Sequence, residues 1–244
     1  MRRFYASADQ ITDRAVNFDK EESAHIHRVL RLTPGEKILV SDGTGTDRLC
    51  ELTAVEPLCT AEIRETFPNE NEPTRELVLF QSVIKNEKMD LVIQKAAEIG
   101  VSRIVPVMTE RTVVKLEDEN KEIKKQERWQ KTALEACKQC GRSRVPTVER
   151  AVRFGQVPAL MARYELRVVA YEEETMKNLR EVVSGQASAA YFIGPEGGIT
   201  PEEHQALVKA GAVSVSLGKR ILRAETAAVV CGAVILAYSG ELDG

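Results

Sequence analysis

A short glycine-rich segment is the stretch of the sequence best suited to hold a ligand. It reads Gly-Pro-Glu-Gly-Gly over residues 194–198 and follows an apolar run. Glycine lets the backbone approach a ligand closely and adopt positive φ angles. The carboxylate of Glu196 disfavours a phosphate and favours a ligand that is cationic or donates hydrogen bonds, such as a sulfonium, an amine or an adenine amino group. A strand-to-helix turn that binds nothing is the alternative interpretation.

The residues after this segment specify the start of a helix. Thr200 is placed to cap the helix, Pro201 occupies its first position and Glu203 completes a capping box. We therefore expect a rigid shelf rather than a flexible linker. The orders GxxxxGK(S/T) of a phosphate-binding loop and GxGxxG of a dinucleotide-binding fold are both absent.

A second segment, residues 217–227, again links an apolar run to a predicted helix and contains a glycine. Its cations are Lys219, Arg220 and Arg223, and its large apolar residues are Ile221 and Leu222. Because apolar side chains favour burial, we expect the two apolar residues to line an adenine pocket while the cations face a polyanion. A solvated basic loop is the alternative.

Both segments require a strand before them and a helix after them, and the hydrophobic pattern predicts these elements. From residue 77 onward, predicted strands cover 77–84, 103–108, 166–171, 189–193 and 213–217, and predicted helices cover 87–99, 127–140, 176–183, 201–210 and 224–238. Gly100 suits a left-handed cap at the end of the first of these helices. Such alternation predicts a parallel sheet with helices on both faces, which binds ligands beyond the carboxyl ends of its strands.

The N-terminal part of the chain has a different pattern. Strands are predicted at 37–40 and 48–55, joined by a polar, glycine-containing turn at 41–46. A polar stretch bracketed by prolines, 67–73, marks a domain boundary. We therefore predict a small β-rich domain over residues 1–72 and an α/β domain over residues 73–244.

Composition is that of an ordinary soluble globular protein, with 43% hydrophobic and 29% charged residues. The net charge of -3 argues against a protein that coats nucleic acid non-specifically, more than it argues against a specific enzyme. The longest apolar run, 227–238, is shorter than the roughly 20 residues a bilayer requires. The first residues lack the apolar core of a signal peptide. These features predict a cytoplasmic protein without a membrane span.

The five cysteines include one CxxC pair, Cys137 and Cys140. An odd number of cysteines without a signal peptide favours reduced thiols. Zinc sites with this spacing usually need a second pair of ligands, which the sequence does not contain at a matching distance. We therefore expect no metal, and a packing role is favoured over a redox pair.

Several segments together resemble one family. They are GPEGGITPEE at 194–203, SLGKRILRAETA at 216–227, MRRFY at 1–5, HRVLRLTPGE at 27–36, DGTG at 42–45, KNEKMDLVIQKAAEIGV at 85–101 and GRSRVP at 141–146. In this order, and over almost the whole chain, they are similar to the RsmE family of bacterial 16S ribosomal RNA uridine-N3 methyltransferases, which belongs to the SPOUT superfamily.

The resemblance implies details of the fold and a cofactor that the hydrophobic periodicity alone does not predict. The fold would be α/β, a SPOUT-type parallel sheet with a C-terminal trefoil knot, preceded by a small PUA-like β-barrel domain that binds RNA. The protein would be a homodimer that uses S-adenosylmethionine and no metal. The implied cofactor-binding residues are Tyr171, Glu172, Gly194, Glu196, Gly197, Gly198, Leu217, Gly218, Ile221, Leu222, Arg223 and Thr226.

The implied reaction is methyl transfer to N3 of a uridine in 16S ribosomal RNA of the assembled 30S subunit. Uridine N3 must lose a proton, so the site needs a base and cations that stabilise the developing anion. The planar fork of Arg223 suits the uracil oxygens, and Glu196 is a candidate base or sulfonium partner. The basic residues expected to contact RNA are Arg2, Arg3, Arg28, Arg31, Lys85, Arg142, Arg144, Lys219 and Arg220.

Three other functions stay open at this point. A SPOUT enzyme acting on transfer RNA or on a ribose 2'-hydroxyl would share both ligand-binding segments. A ribosome assembly factor without catalysis would be expected to have lost the glycines, which are intact here. A nucleotide-binding enzyme with phosphate chemistry is disfavoured by the missing phosphate motifs and by the acidic residue of the glycine-rich segment.

Overall fold

The computed structural model describes residues 1–113 and 118–242, which form two compact units. The first unit comprises Met1–Glu72 and Cys137–Val145, and the second comprises Pro73–Ala136 and Pro146–Gly244. The predicted boundary after Glu72 assigns Cys137–Val145 to the second domain. The structure instead includes this segment in the first unit, for a reason given by its hydrogen bonds below.

The first unit is built on a five-stranded sheet with the order β1-β3-β4-β5-β2. Its strands are β1 (Arg3–Tyr5), β2 (Ala15–Asn17), β3 (Lys37–Ser41), β4 (Thr46–Ala54) and β5 (Thr60–Pro68). The 3₁₀ turn Ala8–Gln10, the helix α1 (Lys20–Ala24) and the π-helical turn His25–Val29 complete the unit. β1 pairs with β3 in parallel and the other pairs are antiparallel. The strands predicted at 37–40 and 48–55 are confirmed as β3 and β4.

One side of this sheet and the helical segment bury an apolar core. Its members are Phe4, Val16, Phe18, Ile26, Ile38, Val40, Leu52 and Ala61, with smaller residues between them. On β3, Ile38 and Val40 are buried while Lys37 is exposed, which is the alternation of a half-buried strand.

A buried carboxylate joins the ends of this sheet to the segment 137–145. Asp47 is 2% exposed and accepts hydrogen bonds from the guanidinium of Arg3, from the Ser143 hydroxyl and, at 2.7 Å, from Asn69 Nδ2. Glu72 accepts from the backbone amides of Ser143 (2.6 Å) and Arg144 (2.7 Å). These polar contacts explain why the segment belongs to the first unit, and hydrophobic periodicity does not reveal them.

Replacing Asp47 with Asn should destabilise the first unit by about 2 kcal/mol at pH 7, because the partly buried Arg3 guanidinium loses its charged partner. Burial alone would raise the pKa of Asp47, but hydrogen bonds from Arg3, Ser143 and Asn69 and the Arg3 charge lower that pKa below its usual value. The stabilisation is therefore present above the unfolded pKa, about 3.9, and is lost as the pH falls through the folded pKa.

Urea unfolding followed by circular dichroism at pH 7 and at pH 3 measures this effect. We expect the difference in midpoint between the wild type and Asp47→Asn to be large at pH 7 and to shrink at pH 3. A difference that is the same at both pH values would show that the Asp47 charge does not stabilise the fold.

The second unit contains a parallel sheet with the order β12-β10-β11-β6-β7-β8, and β9 also pairs with β7. Its strands are β6 (Glu76–Ser82), β7 (Arg103–Met108), β8 (Thr147–Val148), β9 (Val152–Arg153), β10 (Leu166–Ala170), β11 (Ser188–Ile193) and β12 (Val213–Val215). Its helices are α2 (Asn86–Ile99), α3 (Glu119–Cys140, whose last turn is part of the first unit), the 3₁₀ turn Phe154–Gln156, α4 (Val157–Met161), α5 (Leu179–Val182), α6 (Pro201–Lys209) and α7 (Ala224–Tyr238). The parallel α/β prediction is confirmed.

Two predicted helices differ from the structure by more than one residue at their start. α3 begins at Glu119, eight residues before the predicted start at 127. The hydrophobic pattern did not indicate this start, because the first two turns are mostly charged and show little apolar periodicity. α5 covers only Leu179–Val182 rather than 176–183. There, the Glu174 carboxylate accepts hydrogen bonds from the amides of Met176 (2.8 Å) and Lys177 (3.3 Å), which holds that stretch as a turn.

Side chains from both faces of the parallel sheet are buried. Phe80 and Phe192 lie in one apolar cluster together with Leu207 of α6. Tyr191, from the alternate face, approaches α7 so closely that a Cβ at Gly232 would lie 2.6 Å from its hydroxyl oxygen. Glycine at this position therefore allows α7 to pack against β11. Across the described ranges, no helix combines the length and the apolar character needed to cross a membrane.

Candidate functional site

The carboxyl ends of three neighbouring strands meet at one edge of the parallel sheet. β10, β11 and β12 are adjacent there, in the order β12-β10-β11. The residues that follow them line a cavity of about 390 Å³. This is the edge at which open α/β sheets bind ligands, since the loops after neighbouring strands converge there.

The cavity brings together ten of the twelve residues predicted to bind a cofactor. They are Tyr171, Glu172, Gly194, Glu196, Gly198, Leu217, Gly218, Ile221, Leu222 and Arg223. Gly197 and Thr226 are exposed and do not line it. Lys219 and Arg220, which were predicted to contact RNA, also lie on its wall.

The glycine-rich loop, residues 194–198, forms a hydrogen-bonded turn. The Gly198 amide donates to the Pro195 carbonyl oxygen at 3.0 Å, and Gly198 has a φ of 68°, in the left-handed region. A Cβ on Gly198 would lie 2.8 Å from Glu172 Oε1, so glycine leaves the space that this carboxylate occupies. The predicted capping box is confirmed, because the Glu203 amide donates to Thr200 Oγ1 (3.2 Å) and the Thr200 amide to Glu203 Oε2 (3.1 Å).

The loop that follows β7 supports the outer side of the glycine-rich loop. Arg111 Nη1 donates to the Gly197 carbonyl oxygen at 3.0 Å. The Glu110 amide donates to Glu203 Oε1 at 2.9 Å, beside the helix cap. Sequence reasoning missed both contacts. Both contacts depend on the order of the strands in the sheet: β7 lies two strands away from β11, so the loops that follow these strands meet at the same edge.

The second loop, residues 217–223, is anchored at its start. Gly218 has a φ of 106°, and its amide donates to Ser216 Oγ at 3.2 Å. The expectation that Ile221 is buried is wrong, because this residue is 88% exposed. Consecutive side chains of a non-helical segment point in different directions, and here Leu222 is the half-buried one.

A lysine from outside both loops lines the cavity and lies close to two carboxylates, of which Glu196 also lines the cavity. Lys88 Nζ is 3.4 Å from Glu196 Oε1 and 3.6 Å from Glu225 Oε2. Sequence reasoning missed Lys88 although it lies at the start of α2, directly after β6, which is the neighbour of β11. The cavity thus has carboxylates and cations on the same wall.

An aromatic pair flanks the cavity at Tyr171. Its ring stacks on His204 of α6, with centroids 3.9 Å apart and an angle of 12° between the rings. Burial lowers the pKa of His204, although Glu174 and Glu173 oppose the shift. At neutral pH this histidine is therefore uncharged and adds no positive charge to the site.

Comparison with known proteins identifies the family. The RNA methyltransferase domain family matches residues 70–236, and the PUA domain family of RNA methyltransferases matches residues 18–63. Ribosomal RNA small subunit methyltransferase E of Bacillus subtilis is 35% identical over 230 residues, which are 91% of this chain and 89% of that protein. The chain belongs to the ribosomal RNA small subunit methyltransferase E family.

Other members of the methyltransferase E family are similar over nearly their full lengths. The protein of Mycobacterium bovis is 31% identical, over 95% of this chain and 90% of its own. The crystal structure of the enzyme of Neisseria gonorrhoeae, bound to S-adenosyl methionine, has a TM-score of 0.89 and 32% identity, covering 97% of each chain. The fold predicted from the resemblance, a parallel α/β methyltransferase domain with a PUA domain, is thereby confirmed.

Two arginines predicted to contact RNA have structural partners instead. The guanidinium of Arg3 is engaged by Asp47 and the Ser143 hydroxyl, and its side chain is 11% exposed. Arg142 is 5% exposed, and its Nε and Nη2 atoms donate to Glu72 Oε2, each at 3.1 Å. Neither guanidinium is free to reach a phosphate, so we correct both predictions: these residues stabilise the first unit.

The other predicted RNA-contacting residues of this methyltransferase E family member are exposed. They are Arg2, Arg28, Arg31 and Arg144 in the first unit and Lys85, Lys219 and Arg220 in the second. Arg2 donates to the Leu30 carbonyl oxygen at 3.0 Å, between Arg28 and Arg31 in sequence. Arg31 has a φ of 54°, an uncommon conformation for a residue with a side chain.

The cysteine pair lies in the first unit, at the end of α3. A hydrogen bond with Cys140 and burial raise the pKa of Cys137, which disfavours the thiolate that metal binding and thiol exchange require. No group of three or more His, Cys, Asp or Glu residues within 1–113 and 118–242 is arranged to hold a metal ion.

Proposed function

We propose that this protein transfers a methyl group from S-adenosylmethionine to N3 of a uridine in the 16S ribosomal RNA of the assembled 30S subunit. The observation that carries the proposal is the convergence of the glycine-rich loop and the arginine-containing loop in one cavity, in a chain of the methyltransferase E family. The small-subunit specificity follows from the names of its relatives, and the N3 position follows from the sequence resemblance.

The cavity fits S-adenosylmethionine in size and in chemistry. Its volume of about 390 Å³ lies within the range of roughly 300–1,000 Å³ typical of small-molecule sites. Glu172 and Glu196 suit a ligand with a sulfonium and an ammonium group, and Leu217 and Leu222 suit the apolar faces of an adenine. The ten predicted residues that line the cavity would hold the cofactor, which supplies an electrophilic methyl group when bound.

The remaining chemistry falls to the side chains at the cavity. Uridine N3 reacts after losing its proton, and negative charge then spreads onto the uracil oxygens. Arg223, exposed on the cavity wall, presents a planar fork of donors to these oxygens. Glu196 is our candidate for accepting the N3 proton or for facing the sulfonium. Holding both reactants in line supplies a further part of the rate.

RNA contacts come from local cations, since the net charge of the chain is -3. We assign them to the exposed residues Arg2, Arg28, Arg31, Lys85, Arg144, Lys219 and Arg220. A folded ribosomal particle suits such a protein, because its shape adds recognition to a few phosphate contacts. We also propose, from the family resemblance, a homodimer with a C-terminal trefoil knot that acts in the cytoplasm.

Transfer of a labelled methyl group from S-adenosylmethionine tests the proposal. Intact 30S subunits, free 16S RNA and transfer RNA are compared, and the modified nucleoside is identified by mass spectrometry. We expect N3-methyluridine, formed mainly in the 30S subunit. Methylation of transfer RNA or of a ribose would refute the proposed substrate. Cofactor binding without transfer to any of the three would favour the non-catalytic assembly factor.

A further inference from the structure

Lys88 contacts an acidic residue in each of the two segments 194–198 and 217–227. It lies in the first turn of α2 and lines the cavity with a half-buried side chain. Since β6 is the neighbour of β11, the start of α2 lies at the same edge of the sheet as the glycine-rich loop. From this position we infer that Lys88 is a positioning residue, which holds the glycine-rich loop and the start of α7 together for cofactor binding.

One of the two carboxylates depends on Lys88 for charge compensation. The Glu225 side chain is 13% exposed, and its Oε2 atom is buried without a hydrogen-bond partner among the described residues. The ammonium nitrogen of Lys88 lies 3.6 Å from this atom. A buried carboxylate without a nearby positive charge is strongly disfavoured. The Lys88 charge therefore stabilises the conformation in which Glu225 is buried.

The two carboxylates belong to segments that are far apart in sequence. Glu196 is the central residue of the glycine-rich loop, whereas Glu225 is the second residue of α7, the helix that directly follows the second loop. The ammonium attracts both, at 3.4 Å and 3.6 Å. Losing this charge leaves two nearby carboxylates that repel each other. The two loops would then separate or become more mobile.

The same helix offers a matched control. Lys95 Nζ is 2.8 Å from Glu98 Oε2, and the two residues are three positions apart on α2. This pair links one turn of one helix and does not line the cavity. Replacing Lys95 removes a lysine and an ion pair from α2 without affecting either loop.

The first measurement is hydrogen exchange of the protein without ligand, in the wild type, Lys88→Met, Lys88→Arg and Lys95→Met. Methionine keeps the length of the lysine side chain and removes its charge. We expect exchange of the amides in 194–198 and 217–225 to become about tenfold faster in Lys88→Met, because the contact that couples these two segments is lost. Lys88→Arg should stay close to the wild type, and Lys95→Met should leave both loops unchanged.

The second measurement is the affinity for S-adenosylmethionine by calorimetry, and this part rests on the proposed function. We expect Lys88→Met to weaken binding about tenfold. The double variant Lys88→Met/Glu225→Gln should recover part of the loss, because the buried charge that needs compensation is gone.

The two measurements separate the inference from the proposed function. If the wild type did not bind S-adenosylmethionine, the proposed function would fail while hydrogen exchange still reported on Lys88. Unchanged loop exchange in Lys88→Met would overturn the inference. So would faster exchange spread over the whole second unit, because it would indicate a general loss of stability rather than a role in positioning the two loops.

Discussion

Replacing Arg223 with Ala should lower kcat for methyl transfer by about 10²–10³-fold, the usual effect of removing one donor to a developing oxyanion. Affinity for S-adenosylmethionine should fall much less than kcat, because nine other predicted cofactor-binding residues line the same cavity. Arg223 is exposed on the cavity wall, at the N-cap position of α7, and its side chain makes no capping hydrogen bond. The Arg223 side chain therefore does not cap α7 in the free protein, and its guanidinium is available to the uracil oxygens of a bound substrate.

Two further variants make the Arg223 experiment specific. Arg223→Lys keeps the positive charge but loses the planar pair of donors, so we expect an intermediate kcat. Arg180→Ala removes an exposed arginine of α5 that does not line the cavity, and it should behave as the wild type. Single-turnover rates and calorimetry separate chemistry from binding. An Arg223→Ala enzyme with normal turnover would exclude this residue from the mechanism.

Replacing Gly198 with Val should weaken S-adenosylmethionine binding by about 5- to 150-fold. The φ of 68° at Gly198 lies where a β-branched residue is strongly disfavoured, and such strain costs about 1–3 kcal/mol. The new Cβ would also lie 2.8 Å from Glu172 Oε1, so this carboxylate would have to leave its position on the cavity wall. The glycine-rich loop would then change shape where the cofactor is expected to bind.

Calorimetry and thermal unfolding together test the Gly198 prediction. Gly185→Val is a suitable control, since Gly185 has no positive φ and a Cβ there would have no atom within 4 Å. We expect the control to bind normally and both variants to remain folded at the assay temperature. Normal cofactor affinity in folded Gly198→Val would mean that the glycine-rich loop is not part of the cofactor site.

Local sequence patterns were sufficient for most of the secondary structure. The prediction for α7 matches its observed bounds, and so does the prediction for β7. The capping box formed by Thr200 and Glu203 was predicted correctly, because its two residues are only three positions apart in sequence. The start of α3 was misplaced, since its first turns are charged and their helical conformation leaves no apolar signature.

The sequence by itself determined the parallel α/β pattern, the two ligand-binding loops and, through resemblance, the family. Tertiary structure alone decided which distant charges meet. Lys88 contacts Glu196 and Glu225, and Arg111 donates a hydrogen bond to the glycine-rich loop. Arg3 forms an ion pair with Asp47 and is not left free to contact RNA as predicted. Period and propensity describe interactions between residues that are near in sequence. Ion pairs and hydrogen bonds between distant residues depend on how strands are ordered and how loops converge, and a single sequence does not encode these in any local pattern.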